Sequence, residues 1–143
     1  MQHIARQALV LHPAEKMYGL VNDVADYHRF LRWCSHGEVI NASTTAMTAS
    51  LTIRVAGVEQ RFTTQNLLEP DRSIRMQLVD GPFRQLVGQW LFQPLGDAGC
   101  RVSLALDFEF SSGILSSAFR SGFAGIANQM VDQFVARADE VFA

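Results

Sequence analysis

The stretch "DGPFRQLVGQWLFQPLG", residues 80–96, shows most directly how this chain folds. After a Gly-Pro turn, Leu86, Trp90 and Phe92 share one parity, and glutamines occupy the other. This alternation predicts a strand with one apolar and one wet face. Gly88 lies on the apolar parity, although glycine weakens a strand interior. Its presence predicts that the C-terminal helix, or a ligand between helix and sheet, comes close to the apolar face at this position.

The same alternation recurs along much of the chain, between short turns rich in Gly, Pro and Asp. It predicts seven strands, at residues 3–11, 38–44, 47–56, 58–68, 72–79, 85–95 and 100–110. Because the connections within 38–110 are short, strands that follow one another there are expected to pair antiparallel. The wet face is expected to carry Arg54, Arg61, Arg75, Gln77, Gln89, Arg101, Asp107 and Glu109, with the two acids paired to arginines such as Arg101 or Arg75.

Helical periodicity occurs between the first two predicted strands and after the last one. Two short helices are expected between the first two strands, at residues 14–21 and at 27–33, the second with Asp26 as its N-cap. A long helix is expected over 113–142, about 40 Å in length. Its apolar stripe consists of Leu115, Phe119, Phe123, Ile126, Met130, Phe134 and Val141. These elements predict one α+β domain over 1–143, in which a curved antiparallel sheet of about seven strands wraps around the long C-terminal helix.

Composition limits the function. A formal net charge of −2 argues against a protein that neutralises nucleic-acid phosphates, so DNA is not an expected partner. No apolar window approaches the roughly 18 residues of a membrane span, and Arg6 interrupts the apolar N-terminus, so no signal peptide is expected. A cytoplasmic location follows, with peripheral contact to the inner face of the membrane as an addition. Cys34 and Cys100 are expected to be free, buried thiols.

Four segments carry a resemblance to a known family. They are "PAEKMYGLVNDVADYHRFLRWC" at 13–34, "FTTQNLLEP" at 62–70, "LVDGPFRQLVGQWLFQPL" at 78–95 and "GCRVSLALDFEFSS" at 99–112. With the opening strand they resemble the START-like helix-grip superfamily, in its polyketide cyclase/dehydrase branch. That branch holds the coenzyme Q-binding proteins and the RatA-type ribosome-association toxins.

The resemblance implies a hydrophobic cavity between sheet and long helix that holds an isoprenoid such as ubiquinone. The protein would carry this quinone or another lipid in support of respiration, without altering it and without a required cofactor. The alternative that the resemblance implies is a toxin that binds the large ribosomal subunit and blocks subunit joining. One departure concerns the family pattern Tyr-Pro-x-Phe-Leu-Pro, in which His28 and Arg32 replace the two prolines here. The mouth of the cavity is therefore expected to be more basic and less rigid.

The expected cavity is apolar and largely aromatic, with ordinary core packing as the alternative for any single residue. The residues assigned to its wall are Phe62, Trp90, Phe92, Leu106 and Phe108, with Met76, Leu78, Leu104 and Ile126 beside them. Gly88 is assigned as the position at which the ligand or the helix comes closest to the sheet. The opening of the cavity is assigned to Phe30, Trp33, Phe83, Phe119 and Phe123. Residues 111–125, rich in glycine and serine, are expected to form a mobile lid or a membrane-touching entrance; the alternative is a frayed helix start.

Catalytic and metal-binding patterns are weak. The sequence has no nucleophile elbow, phosphate loop or paired-carboxylate motif, and Cys34-x-His36 lacks companion metal ligands. An aromatase/cyclase-type enzyme would need a polar residue deep in the pocket, and strand parity is not expected to supply one. For ribosome binding, the candidates are Arg54, Arg61, Arg75 and Arg101 on the outer sheet face and Arg29 and Arg32 near the mouth. The alternative there is a solvated face on which Glu59, Asp107 and Glu109 are interleaved.

Overall fold

The computed structural model describes residues 1–111 and 115–142. The elements follow in the order β1 (Gln2–Val10), α1 (Ala14–Asn22), a 3₁₀-helix (Val24–Arg29), β2 (Cys34–Ala42), β3 (Ala46–Val55), β4 (Val58–Glu69), β5 (Ser73–Asp80), β6 (Phe83–Leu95), β7 (Gly99–Phe110) and α2 (Ser117–Val141). The strands form one antiparallel sheet in the order β1-β7-β6-β5-β4-β3-β2. The predicted α+β helix-grip architecture is confirmed.

Tight hairpins set the register of the sheet. Between β3 and β4 the chain reverses over Ala56 and Gly57, which have φ angles of 52° and 77°, and Val55 lies opposite Val58. Two consecutive residues with positive φ match the strand twist at a two-residue hairpin, and glycine adopts such angles without a steric penalty. This register places Leu51, Ile53 and the other apolar residues of β3 on the inner face of the sheet.

Helix α2 covers the inner face, but its buried stripe differs from the predicted one. The side chains that it buries are Phe119, Phe123, Ala127, Val131, Phe134 and Ala138. Two of these six are alanines, which a pattern read from large apolar residues misses. The inclusion of Val141 was wrong, since it lies at the last residue of the helix and is 45% exposed.

The start of α2 also differs from the predicted residue 113. Ser116 is the N-cap, and its hydroxyl accepts a hydrogen bond from the Phe119 backbone N–H at 3.1 Å. A serine cap satisfies one of the free N–H groups of the first turn and so favours a helix that begins directly after it. Residues 112–114, which the prediction assigned to the helix and to the lid, lie outside the described residues.

Helix α2 comes into close contact with the sheet at one of its glycines. A Cβ placed on Gly122 would overlap the Cγ1 atom of Val55 at the end of β3. Glycine is therefore required for this contact, which brings the first turns of α2 onto the sheet.

The segment between β1 and β2 shows two further corrections. The second short helix is a 3₁₀-helix over Val24–Arg29, and Asp26 lies within it instead of capping a helix at 27–33. The Asp26 carboxylate binds Arg29 at 3.1 Å and lies 3.9 Å from Arg137 of α2, so its oxygens face side chains and not a helix N-terminus. Strand β2 begins at Cys34, four residues before the predicted start, because its polar first residues hide the strand periodicity.

Candidate ligand-binding cavity

A cavity of about 70 Å³ lies between the inner face of the sheet and the helices. A water occupies about 10–15 Å³ on this measure, so the space corresponds to about five to seven waters, or one ring-sized group. The lining consists of Val21, Asn22, Val24, Tyr27, Trp33, Ala49, Leu51, Ile53, Phe62, Thr64, Asn66, Ile74, Met76, Leu86, Trp90, Leu104, Leu106, Phe123, Ile126, Ala127 and Met130. The lining comes from α1, the 3₁₀-helix, the residue Trp33, strands β3 to β7 and α2.

The structure separates the predicted site residues into two groups. Those that line the cavity are Trp33, Phe62, Met76, Trp90, Leu104, Leu106, Phe123 and Ile126. Those that lie away from it are Phe30, Leu78, Phe83, Gly88, Phe92, Phe108 and Phe119. The second group is mostly core: Phe92, Phe108 and Phe119 are each at most 1% exposed. Ligand binding by either group stays a prediction.

An aromatic cluster explains why part of the predicted trough is filled. Phe83 and Phe108 each place their ring centroids 5.0 Å from that of Phe123, and Phe83 stacks on Phe110 at 5.4 Å. Edge and offset contacts at these distances are favourable for aromatic rings. Phe123 belongs both to this cluster and to the cavity lining, so its ring forms the boundary between packed core and open space.

The cross-strand neighbours of Gly88 leave no room for a side chain at this position. The register places Met76 and Leu106 on either side of it, and a Cβ at Gly88 would lie 2.8 Å from both Met76 Cε and Leu106 Cδ1. These two side chains close over the glycine and then line the cavity. The close approach predicted for a ligand or for α2 is made by these two side chains.

Polar residues do lie in the cavity, which corrects the prediction that none would. Thr64 and Asn66 on β4 are 7% and 5% exposed, and both line the space. Their positions were readable from the sequence, because "FTTQNLL" places both on the inward parity of Phe62 and Leu68. The prediction relied on the apolar residues of that parity and overlooked the two polar residues between them.

Most hydrogen-bond donors at the cavity are already used within the protein. The Tyr27 hydroxyl donates to the Val21 carbonyl oxygen, and Trp33 Nε1 donates to Gln133 Oε1 at 2.9 Å. Thr64 Oγ1 donates to Asn66 Oδ1 at 2.8 Å. Burial raises the pKa of the Tyr27 phenol, so it stays protonated at neutral pH.

Among the described residues that line the cavity there is no Asp, Glu, Lys, Arg or His side chain. Because a charged group loses its hydration in such an environment without gaining a counter-ion, the part of a ligand held here is expected to be neutral. Within the described ranges, no three His, Cys, Asp or Glu side chains come together as a metal site. The arrangement can bind an apolar group and orient it through a few hydrogen bonds.

The two cysteines are free and buried, as predicted. Burial raises the pKa of both thiols because a thiolate would lose its hydration. For Cys34 a hydrogen bond with the backbone of His36 opposes this shift.

The outer face of the sheet carries the predicted arginines, but several are already neutralised. Arg54 binds Glu59 at 2.5 Å, and Arg61 binds Glu38 at 3.0 Å. Arg75 is exposed, and within residues 1–111 and 115–142 no carboxylate forms a salt bridge with it. Arg75 is therefore better placed than Arg54 or Arg61 to bind an external anion from this face.

The predicted pairing of Asp107 with an arginine was wrong. The register places Asp107 directly opposite His3, and the two side chains contact at 2.5 Å between Oδ1 and Nδ1. Arg101 donates instead to Gln93 at 3.5 Å. His28 and Arg32, which replace the family prolines, are both exposed.

The described part of the predicted lid packs against the core. Phe119 and Phe123 are 1% and 4% exposed, so they cover the sheet in this conformation. Opening of the segment stays a prediction. Neither helix in the described part of the chain combines the length and apolar character needed to cross a bilayer.

Comparison with known proteins gives a family match over most of the chain. Residues 10–135 match the family described as polyketide cyclase / dehydrase and lipid transport. Ribosome association toxin RatA of Escherichia coli K12 is 43% identical over 143 residues, covering 100% of this chain and 90% of that protein. The mitochondrial coenzyme Q-binding protein COQ10 of Drosophila melanogaster is 28% identical over 134 residues, covering 91% of this chain and 55% of that protein.

A solved structure supports the fold. The Zhui aromatase/cyclase of Streptomyces sp. R1128 superimposes with a TM-score of 0.86 at 16% identity, covering 99% of this chain and 96% of that one. At this level of identity the likeness supports the helix-grip fold alone.

Proposed function

Since the chain belongs to the polyketide cyclase/dehydrase and lipid transport family, and since a relative named a ribosome association toxin matches its full length at 43% identity, we propose that it associates with ribosomes. In this proposal it inhibits translation by blocking the joining of the subunits. The full-length match to the toxin carries the proposal, because the coenzyme Q-binding relative is more distant, at 28% identity. Ribosome association, the alternative at the level of sequence, thus takes precedence over the quinone carrier.

The outer face of the sheet is the surface we assign to the ribosome. Arg75 lies near its centre, with Gln89 opposite on β6 and Leu67, which is 57% exposed, opposite on β4. The protein has a net charge of −2, so a general attraction to RNA is not available and the contact depends on individual cations. An exposed arginine among neutral side chains is suited to bind one phosphate.

Sedimentation of the protein with purified ribosomal subunits through sucrose gradients tests the proposal. The wild-type protein is expected to co-sediment with the large subunit and to reduce the fraction of joined ribosomes. Arg75→Gln is expected to weaken binding and to lower the steepness of its salt dependence by about one in log-log slope. Lys16→Gln is the control, because Lys16 is also an exposed cation but lies on α1, away from the outer face of the sheet.

Absence of the wild-type protein from every ribosomal fraction at low salt would refute ribosome association. Equal effects of Arg75→Gln and Lys16→Gln would keep the association but refute the assignment of the outer sheet face.

A second function, binding of an apolar ligand such as a ubiquinone-like isoprenoid or another lipid, is favoured by the uncharged cavity under α2. Burial of each CH₂ group contributes about 0.8 kcal/mol, so a ring with a few carbons attached would supply several kcal/mol. Organic extraction of protein purified from its native cells, followed by mass spectrometry, is expected to release a stoichiometric neutral lipid. A protein that releases nothing and also fails to bind added quinone would refute this second function.

A further inference from the structure

Among the described residues that line the cavity, Thr64 and Asn66 form a polar pair whose hydrogen-bonding capacity is not used up. Thr64 and Asn66 are both more than nine-tenths buried, and both line the apolar space. The single hydrogen bond between their side chains, at 2.8 Å, joins Thr64 Oγ1 to Asn66 Oδ1. An asparagine amide carries two N–H donors, and a threonine hydroxyl carries one.

In either orientation of the amide, at least one N–H of Asn66 remains without an acceptor among the described residues. With the oxygen toward Thr64, both N–H bonds are free; with the nitrogen toward Thr64, one N–H is free. The register places Met47 and Met76 opposite Asn66 on the neighbouring strands, and a thioether sulfur is only a weak acceptor. Buried polar groups in proteins are rarely left without a partner, so an acceptor from outside the chain is expected here.

The surroundings restrict the chemistry of that acceptor. In the described part of the lining no side chain carries a formal charge, so a carboxylate or phosphate would enter without a counter-ion. The Tyr27 and Trp33 donors are occupied within the protein, and Asn22, the other amide of the lining, is only partly buried. Asn66 is therefore the buried amide donor left for the ligand's oxygen. A cavity of about 70 Å³ accepts one ring-sized group.

We propose that Asn66, positioned by Thr64, donates a hydrogen bond to a neutral oxygen of the bound ligand, such as a ketone, quinone or ester carbonyl. This inference rests on the second proposed function, binding of an apolar ligand in the cavity. It adds that the ligand is an oxygenated neutral compound and that its carbonyl group lies against the inner face of β4. A pure hydrocarbon leaves the Asn66 amide without an acceptor and binds without orientation.

Two ring compounds of the same shape test the inference. Acetophenone and α-methylstyrene differ only in that a carbonyl oxygen replaces a methylene group, so burial of apolar area is nearly matched. Titration followed by ¹H–¹⁵N spectra is expected to move the Asn66 side-chain amide resonance with acetophenone and to leave it almost unchanged with α-methylstyrene. This reading uses the wild-type protein and does not depend on the folding of a variant.

Asn66→Leu keeps the approximate side-chain volume and removes both donors. It is expected to weaken acetophenone binding about tenfold and to leave α-methylstyrene binding within about twofold. Thr64→Val, which removes the positioning hydroxyl, is expected to show the same preference at smaller magnitude. Met76→Leu is the control, because Met76 lines the cavity without a hydrogen bond and its replacement should affect both ligands alike.

The outcomes separate the two proposals. If both compounds bind and Asn66→Leu changes their affinities equally, the carbonyl site is refuted and the apolar cavity stands. If the Asn66 resonance does not respond to acetophenone although acetophenone binds, the carbonyl site is likewise refuted. If neither compound binds the wild-type protein, the apolar-ligand function fails and this inference fails with it, whereas ribosome association is untouched.

Discussion

Gly88→Ala is the substitution that most directly relates packing in the sheet to the cavity. The added Cβ would lie 2.8 Å from Met76 Cε and from Leu106 Cδ1, and 3.3 Å from the Ala105 carbonyl oxygen. The two closest atoms are the ends of flexible side chains, and both side chains border open space. We therefore expect them to move into the cavity and the backbone of the sheet to stay in place.

The effect on stability follows from two opposing contributions. Overpacking of a filled core costs about 1–3 kcal/mol, and here the cavity relieves part of that cost. Alanine is favoured over glycine in a strand interior by about 0.5–1 kcal/mol. The free energy of unfolding is expected to fall by about 0–2 kcal/mol. The affinity for acetophenone is expected to fall about fourfold, the equivalent of one lost CH₂ burial of about 0.8 kcal/mol.

Gly37→Ala provides the matched control. A Cβ at Gly37 would overlap the Val24 carbonyl oxygen, which is backbone and cannot rotate away. A loss of about 3 kcal/mol or more is expected for this variant. Urea denaturation followed by tryptophan fluorescence gives both stabilities, and calorimetric titration gives the affinity. Equal destabilisation by Gly88→Ala and Gly37→Ala, or a stable Gly88→Ala with unchanged affinity, would refute the reasoning.

Three further predictions concern helix, thiols and phenol. Gly125→Ala in α2, where an added Cβ meets nothing within 4 Å, is expected to raise the free energy of unfolding by about 0.5–1 kcal/mol, and a lower melting temperature would contradict this. Because burial raises the pKa of Cys34 and Cys100, both should resist a thiol reagent at pH 8 in the folded protein and react rapidly in denaturant; rapid labelling of the native protein would show that they are accessible. Because burial raises the pKa of Tyr27 above its ordinary value, the unfolded chain loses this proton first, and the free energy of unfolding should fall above about pH 10 by up to about 1.4 kcal/mol per pH unit. Tyr27→Phe should show a shallower alkaline slope in denaturation curves, and an unchanged slope would exclude this phenol as the cause.

The fold was largely predictable because most of its strands carry one apolar face. In β7, and in β6 from Leu86 to Phe92, the alternation is unbroken, and the buried residues Leu86, Trp90 and Phe92 are those that parity selected. The boundaries failed where local polarity hides the period, as in the first residues of β2, or where a capping serine fixes a helix start that apolar spacing does not encode. Such features depend on single hydrogen bonds, which leave little trace in a hydrophobic pattern.

The cavity was less predictable, because parity identifies the inner face but not the places where that face is left unfilled. Phe108 and Leu106 share a parity and a strand, yet Phe108 is packed among aromatic rings and Leu106 borders open space. The difference arises from what α2 places opposite each residue, and that depends on the position of the helix across the sheet. Sequence patterns of one strand contain no information on that position.

The size of the cavity connects the core residues to the predicted ligand site. A space of about 70 Å³ holds a ring but not a chain of several isoprene units, so a long ligand requires side chains to move. Phe123 separates the space from Phe83 and Phe108, with both ring centroids 5.0 Å away. Rotation of the Phe123 ring would open the cavity toward Phe83 and Phe108. These aromatic residues, which were predicted to border the ligand site, would then contact the ligand. One bound ligand can therefore place its carbonyl group at Asn66 and direct its tail past Phe123.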